Sequence, residues 1–163
     1  MMVAEELSER IDKRGHRFLV GEVNQDFCAS LKEMYDGFSR TDLNQGLPPP
    51  DEKIRSGWIQ SLLKSANNFL AWNHGKVIGH SSLIAEMQKQ DAEFIIFVSE
   101  PYRSRGIGTE LTLLAVDKAK ELGLNKIWLT VESFNFRAIG LYQKVGFRLS
   151  GAAERERVMV LKL

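Results

Sequence analysis

Cysteine occurs once in these 163 residues, at Cys28, so no disulfide can close within the chain. A single thiol suits a reducing compartment. Proline is nearly absent too: there are four, and three of them form the run Pro48 to Pro50. No apolar run approaches the roughly 20 residues that a membrane-spanning helix needs. Charge of one sign is also lacking, since 22 basic and 21 acidic residues leave a net charge of +1. A nucleic-acid or membrane-surface protein normally carries a basic surplus, so neither partner is expected. The opening MMVAEELSERIDKRG is charged throughout and has no apolar core of a secretory signal. Histidine is limited to His16, His74 and His80, with no cysteine or carboxylate at ligand spacing, so no metal is expected. The expectation is a cytoplasmic domain.

What is present is ample material for one core: 44% of the residues are apolar and 26% charged. There is no repeat, low-complexity run or internal linker, so residues 1–163 read as a single domain, with 1–16 a flexible or helical extension. RFLVGEV reads as a strand. Phe27, Leu31, Met34 and Tyr35 recur at helical spacing after Asn24, a candidate N-cap, which gives a helix over about 24–36. The prolines then demand an exposed loop over 40–50, before a second helix from Asp51 to about Lys64 whose stripe is Ile54, Trp58, Leu62 and Leu63. Asn73-His74-Gly75 separates two strand-like segments as a hairpin turn. AEFIIFV is almost wholly apolar, the mark of a strand covered on both faces. A helix over about 106–122 follows, stopped by Gly123, then the strand NKIWLTV and a short helix over about 135–145 stopped by Gly146. FRLSG and RVMVLKL are spaced as a closing hairpin. The order βααβββαβαββ is that of a mixed α/β domain.

YRSRGIGTEL, residues 102–111, poses the functional question. A helix start leaves about four N–H groups unpaired and carries roughly half a positive charge. Glycines at 106 and 108 would let a phosphate approach the amides of Arg105 to Thr109, and Arg103 and Arg105 would add charge. An ordinary strand-to-helix turn with solvated arginines is the competing reading. A Walker loop is excluded because no Gly-Lys-Ser/Thr is present, and the dinucleotide fingerprint fails because Leu111 stands where its third glycine belongs.

Residues 92–147 resemble the GNAT superfamily of N-acetyltransferases. The matching pieces are Val98 five residues before the RxxGxG turn of Arg103, Gly106 and Gly108, then Leu129-Thr130-Val131 ahead of Asn135, Ala138, Leu141-Tyr142 and Gly146-Phe147. The resemblance implies a mixed, mostly antiparallel sheet whose two central parallel strands splay apart, flanked by helices. It also implies acetyl-CoA as co-substrate, no metal, and direct attack by a primary amine. The coenzyme's arm would bond the backbone of Phe97 and Val98 and contact Asn135 and Ala138. Its pyrophosphate would lie on the turn of Arg103, Ser104, Arg105, Gly106, Ile107, Gly108 and Thr109. A homodimer is compatible with it.

An amine of pKa about 10.4 is neutral in only about one molecule in 2,500 at pH 7, so something must accept a proton. Glu93, entering the apolar strand, and Glu132 are the candidate bases, with Glu86 and Asp91 behind them; Glu93 at an exposed strand start and Glu132 as a solvated loop residue are the other readings. The resemblance makes Tyr142 the acid that protonates the departing thiolate, whereas its spacing from Ala138 and Val145 also suits core packing. Arg137 and Lys144 are either phosphate contacts or solvated surface. The acids Asp36, Asp42, Asp51 and Glu52 suit a cationic acceptor or a solvated loop equally, and the acceptor, small amine or protein amine, stays open. A CoA-binding module without turnover is the alternative function.

Overall fold

A computed structural model describes residues 7–43 and 45–163. Strands β1 (Ser8–Ile11) and β2 (Arg17–Val23) form an N-terminal hairpin. A 3-10 turn at Gln25–Phe27 leads into helix α1 (Cys28–Asp36), and α2 (Glu52–Ser65) follows after the proline loop. Then come β3 (Asn67–Asn73), β4 (Lys76–Glu86), β5 (Asp91–Val98), α3 (Ile107–Glu121), β6 (Lys126–Glu132), α4 (Phe136–Val145), β7 (Arg148–Ser150) and β8 (Glu156–Lys162). Among the described residues eight strands share one sheet in the order β1-β2-β3-β4-β5-β6-β8-β7, in which only the neighbours β5 and β6 run parallel.

From residue 17 onward the element order is the expected one. The N-terminal expectation needs correction: residues 1–6 lie outside the described residues, but 8–11 are neither flexible nor helical. Ser8-Glu9-Arg10-Ile11 pairs with β2 from Ser8↔Val20 to Ile11↔Arg17. Four polar-rich residues are too short a run for periodicity to reveal, and it is the edge of β2 that orders them.

Helix caps follow from local chemistry. Asp51 Oδ1 accepts the Ile54 N–H at 2.9 Å and starts α2. In α2 the buried stripe is Ile59, Leu62 and Leu63, while Ile54, expected inside, is 64% exposed. Trp58, Leu62 and Leu63 keep the expected packed face, and only the first turn, with Ile54, stands clear of the core.

Two cores lie on opposite faces of the sheet. One gathers Phe94, Leu111, Ala115, Ile127, Leu129, Tyr142 and Met159 around α3 and α4. The other gathers Leu31, Tyr35, Ile59, Leu63, Leu70 and Phe97 around α1 and α2. Strand β5 sends Phe94 to one and Phe97 to the other, as the period-2 alternation of a doubly covered strand requires.

The α1/α2 core contains a closed polar network. Asn68 donates its amide to the carbonyls of Leu62 (2.8 Å) and Ala66 (3.0 Å), which fixes its Oδ1 as the acceptor for Ser82 Oγ (2.6 Å) and His80 Nε2 (2.8 Å). His80 Nε2 must then carry the proton, so its Nδ1 accepts the Tyr35 hydroxyl at 2.6 Å. His80 is thus a core residue. Among the described residues no helix is long and apolar enough to cross a membrane.

Candidate active site

Strands β5 and β6 pair only at Asp91↔Lys126, Ala92↔Ile127 and Glu93↔Trp128. Each continues beyond that point with its outer partner: β5 with β4 as far as Val98↔Gly79, β6 with β8 as far as Glu132↔Glu156. Only the inner edges separate, and a cleft of about 690 Å³ opens there. Ile96, Phe97 and Val98 form one wall, and Asn135, Ala138, Leu141 and Tyr142 form the other. Arg103, Ser104, Gly106, Gly108 and Thr109 close one end.

The turn at that end is built by left-handed residues, Ser104 at φ 60° and Gly106 at φ 92°. Gly106 then caps α3, and the first helical bond runs from the Glu110 N–H to the Gly106 carbonyl at 3.2 Å. The N–H groups of Ile107, Gly108 and Thr109 precede it and fall outside the helical pattern. Gly108 also leaves room for packing: a Cβ there would lie 2.9 Å from Leu141 Cδ1, so that side chain would have to shift. Leucine 141 can therefore close over the start of α3.

The two arginines of the turn do not behave as a solvated pair. Arg103 Nε donates to the Val98 carbonyl at 2.9 Å, and its Nη1 lies 2.9 Å from Asp42. Its guanidinium also stacks 5.9 Å from the Phe38 ring. Arg105 faces the N-terminal hairpin instead, with Nε 2.7 Å from Asp12. Its side chain is absent from the cleft wall. Ile107, expected on the phosphate turn, is instead 1% exposed and packs in the core, outside the cleft lining.

Tyr142 is 7% exposed, its ring wedged edge-on against Phe94 (6.5 Å) and tilted against Phe147 (5.8 Å). It is both core and cleft wall. Burial pushes its hydroxyl above the ordinary tyrosine value, so it stays protonated at neutral pH. Glu93 is half-buried and outside the cleft lining, and desolvation pushes its carboxyl up. Glu132 does line the cleft. Asn135 accepts the Ala138 N–H at 3.3 Å, so it caps α4 while facing the cleft.

Lys13, Arg137 and Lys144 also line the cleft. Arg137 and Lys144 were open candidates from sequence; Lys13 was missed, because nothing in a charged N-terminal segment signals a distant turn. Phe38 and Asp42 line the cleft too; Asp42 was a candidate for the acceptor, but the 40–50 loop is not simply a solvated one. Instead Asp42 is held by Arg103, Gln45 accepts the Thr130 hydroxyl at 2.7 Å, and Pro48 is buried. The Ser39 N–H, then the Arg103 guanidinium, hold the Asp42 carboxyl below its ordinary value against burial. Asp36 is likewise paired with Arg55 at 2.7 Å, and Asp51 is the cap of α2. Three of the four acids proposed for a cationic acceptor are thus already engaged. A second recess of about 540 Å³ adjoins the cleft, sharing Leu43 and Glu132 with it and adding Gln45, Glu154, Arg155 and Glu156.

Such a groove suits a long ligand that is anionic at the end nearest the helix start and extended along the apolar wall. Comparison with solved structures gives a TM-score of 0.84 with the GNAT domain of S. lividans PAT, over 99% of each chain at 15% identity. For yncA from Salmonella typhimurium, solved with its cofactor acetyl-CoA, the TM-score is 0.70 over 89% of this chain and 93% of that one, at 17% identity. At these identities the likeness is one of fold. In sequence, an L-methionine sulfoximine/L-methionine sulfone acetyltransferase of Pseudomonas aeruginosa is 27% identical over 109 residues. The match spans 63% of each chain, just under two thirds of the relative's length. The model of the acetyltransferase (GNAT) family matches residues 31–147, from within α1 to just past α4, which includes both walls of the cleft. With the splayed strands, the glycine turn and this match in agreement, the chain belongs to the GNAT acetyltransferase family.

Proposed function

We propose that this protein is an N-acetyltransferase that moves the acetyl group of acetyl-CoA to a primary amine by direct attack in a ternary complex. One observation carries the reading: a single cleft is lined both by the start of α3 and by Tyr142. The residues present fit the coenzyme: Gly108 and Thr109 at the helix start and the cations Arg137 and Lys144 line the cleft and would hold its phosphates. The apolar wall of Ile96, Val98 and Leu141 would lie along its arm. Phe97, Val98, Asn135 and Ala138 are assigned to hold that arm.

When bound, acetyl-CoA supplies an activated acyl group; the protein manages protons. The proton that a cationic amine must lose is assigned to a carboxylate, either Glu93, whose carboxyl burial pushes up but which lies outside the cleft lining, or Glu132 on the cleft wall. Tyr142 is assigned to donate its hydroxyl proton to the departing sulfur. The setting is read as cytoplasmic and the unit as a single domain.

Two measurements test this reading. At 100 times Kd, acetyl-CoA should add about 2.7 kcal/mol of stability, and so raise Tm by about 5–11 °C, without added metal. No shift at saturation would remove the coenzyme from the assignment. CoA release should then be followed across amino acids of the methionine sulfone type, polyamines and peptide N-termini. Binding without release on any amine would favour a CoA-binding module over an enzyme.

A further inference from the structure

The turn between β1 and β2 touches the phosphate end of the cleft, although it lies about ninety residues away in sequence from the glycine turn. The contact is built from both sides. Asp12, its side chain 3% exposed, accepts the N–H groups of Arg14 (2.8 Å) and His16 (2.9 Å), which close its own turn. The same carboxylate receives Arg105 Nε at 2.7 Å and Nη2 at 2.5 Å. The Lys13 N–H donates to the Arg105 carbonyl at 2.9 Å, so main chain meets main chain next to the side-chain pair. Arg105 is held further by Tyr102, whose ring lies 5.0 Å from its guanidinium.

Lys13 is the residue this arrangement delivers. Its stem runs over Gly106, since a Cβ at that glycine would lie 3.8 Å from Lys13 Cγ and 3.9 Å from Cε. It lines the cleft. The charges of the turn's own arginines are neutralised, Arg103 by Asp42 and Arg105 by Asp12. Among the described residues Lys13 has no carboxylate partner. It is a cation over the open helix start, on a stem fixed at its root.

We propose that the tip of the β1–β2 hairpin is part of the coenzyme site, with Lys13 as a direct contact to the phosphates and Asp12 as the residue that positions both it and the 103–106 turn. The inference rests on the coenzyme reading and adds to it a residue from outside the 31–147 family match. The ligand feature recognised is the pyrophosphate and ribose phosphate, not the acyl arm.

The experiment compares Kd for acetyl-CoA with Kd for S-acetylpantetheine, which lacks those phosphates, in the wild type, Lys13→Met, Asp12→Asn and the double variant. Lys13→Met removes an exposed charge and keeps the stem, so folding should be unchanged. Its acetyl-CoA Kd should rise by about 2–5-fold at low salt, the worth of an exposed charge contact. The rise should vanish near 1 M salt, where screening acts over about 3 Å. Its affinity for S-acetylpantetheine should match the wild type. Asp12→Asn should weaken acetyl-CoA at least as much, and adding Lys13→Met should then change little, because a lysine that is no longer held has little left to lose. Equal affinity of wild type and Lys13→Met for acetyl-CoA at low salt would overturn the inference, as would equal losses for both thioesters. Fully additive losses would remove Asp12 from it. Failure of the wild type itself to bind acetyl-CoA would overturn the coenzyme reading first, and this one with it.

Discussion

Tyr142 is a ring sealed by Phe94 and Phe147 that still lines the cleft. Tyr142→Phe keeps that ring, so Tm and acetyl-CoA affinity should hold. If the hydroxyl protonates the leaving sulfur, kcat should fall by on the order of 10²–10⁴ and kcat/KM with it. A thiol of pKa about 8.5 leaves unaided at high pH, so the deficit should shrink above that value. Full activity of the variant at pH 7 would leave Tyr142 as packing alone. Glu93 gives a second test through pH. Desolvation raises its carboxyl above the usual value, so the base form is lost earlier on acidification than for a solvated glutamate. The acid limb of kcat/KM should therefore stand above that of a solvated glutamate and disappear in Glu93→Gln. If Glu132→Gln removes that limb and Glu93→Gln does not, the base is Glu132 on the cleft wall.

Helix α3 offers a substitution whose two effects have opposite signs. Thr109 is its third residue and faces the cleft. An acid in a first helical turn stabilises by about 0.3–1 kcal/mol, whereas the same charge repels a phosphate. Thr109→Asp should thus hold or raise Tm while weakening acetyl-CoA, as thermal unfolding and titration would show; unchanged affinity would put the phosphates elsewhere. Gly108→Asp is a poorer probe, because its Cβ would first strike Leu141. Elements with strong local signals were legible in the sequence. The hairpin at Asn73-His74-Gly75, the doubly covered β5 and the glycine stops of α3 and α4 each announce themselves within a few residues. What could not be read is what distant segments do to one another. The sequence marks Arg103 and Arg105 as a pair of cations at a helix start, but their neutralisation depends on Asp42 and Asp12, 61 and 93 positions away. Strand β1 exists through its partner, and Lys13 reaches the cleft only because β1 exists. That the first turn of α2 stands clear of the core and exposes Ile54 is likewise a matter of packing.

At the scale of the whole molecule, the buried histidine sets how stability follows pH. Burial lowers His80 to about 3, and the groups facing it, Tyr35, Asn68 and Ser82, carry no charge. The folded state therefore refuses a proton that the unfolded chain takes up below its ordinary value of about 6.5. Stability from this group is complete above that pH and declines as pH falls towards 3, by about 1.4 kcal/mol per pH unit. Denaturant unfolding at pH 7.5, 5.5 and 4.5 should show that slope, and His80→Gln should flatten it; an unchanged slope would assign the acid sensitivity to other groups. The three register pairs between β5 and β6 have a different consequence at the same scale. They divide the sheet into two plates, β1 to β5 and β6 to β8, pinned at one end of a common seam. Along that seam, cohesion between the plates comes from three rungs and from helices bridging behind them. Whatever fills the open end acts as a second fastener, so the molecule is mechanically most complete when it is loaded.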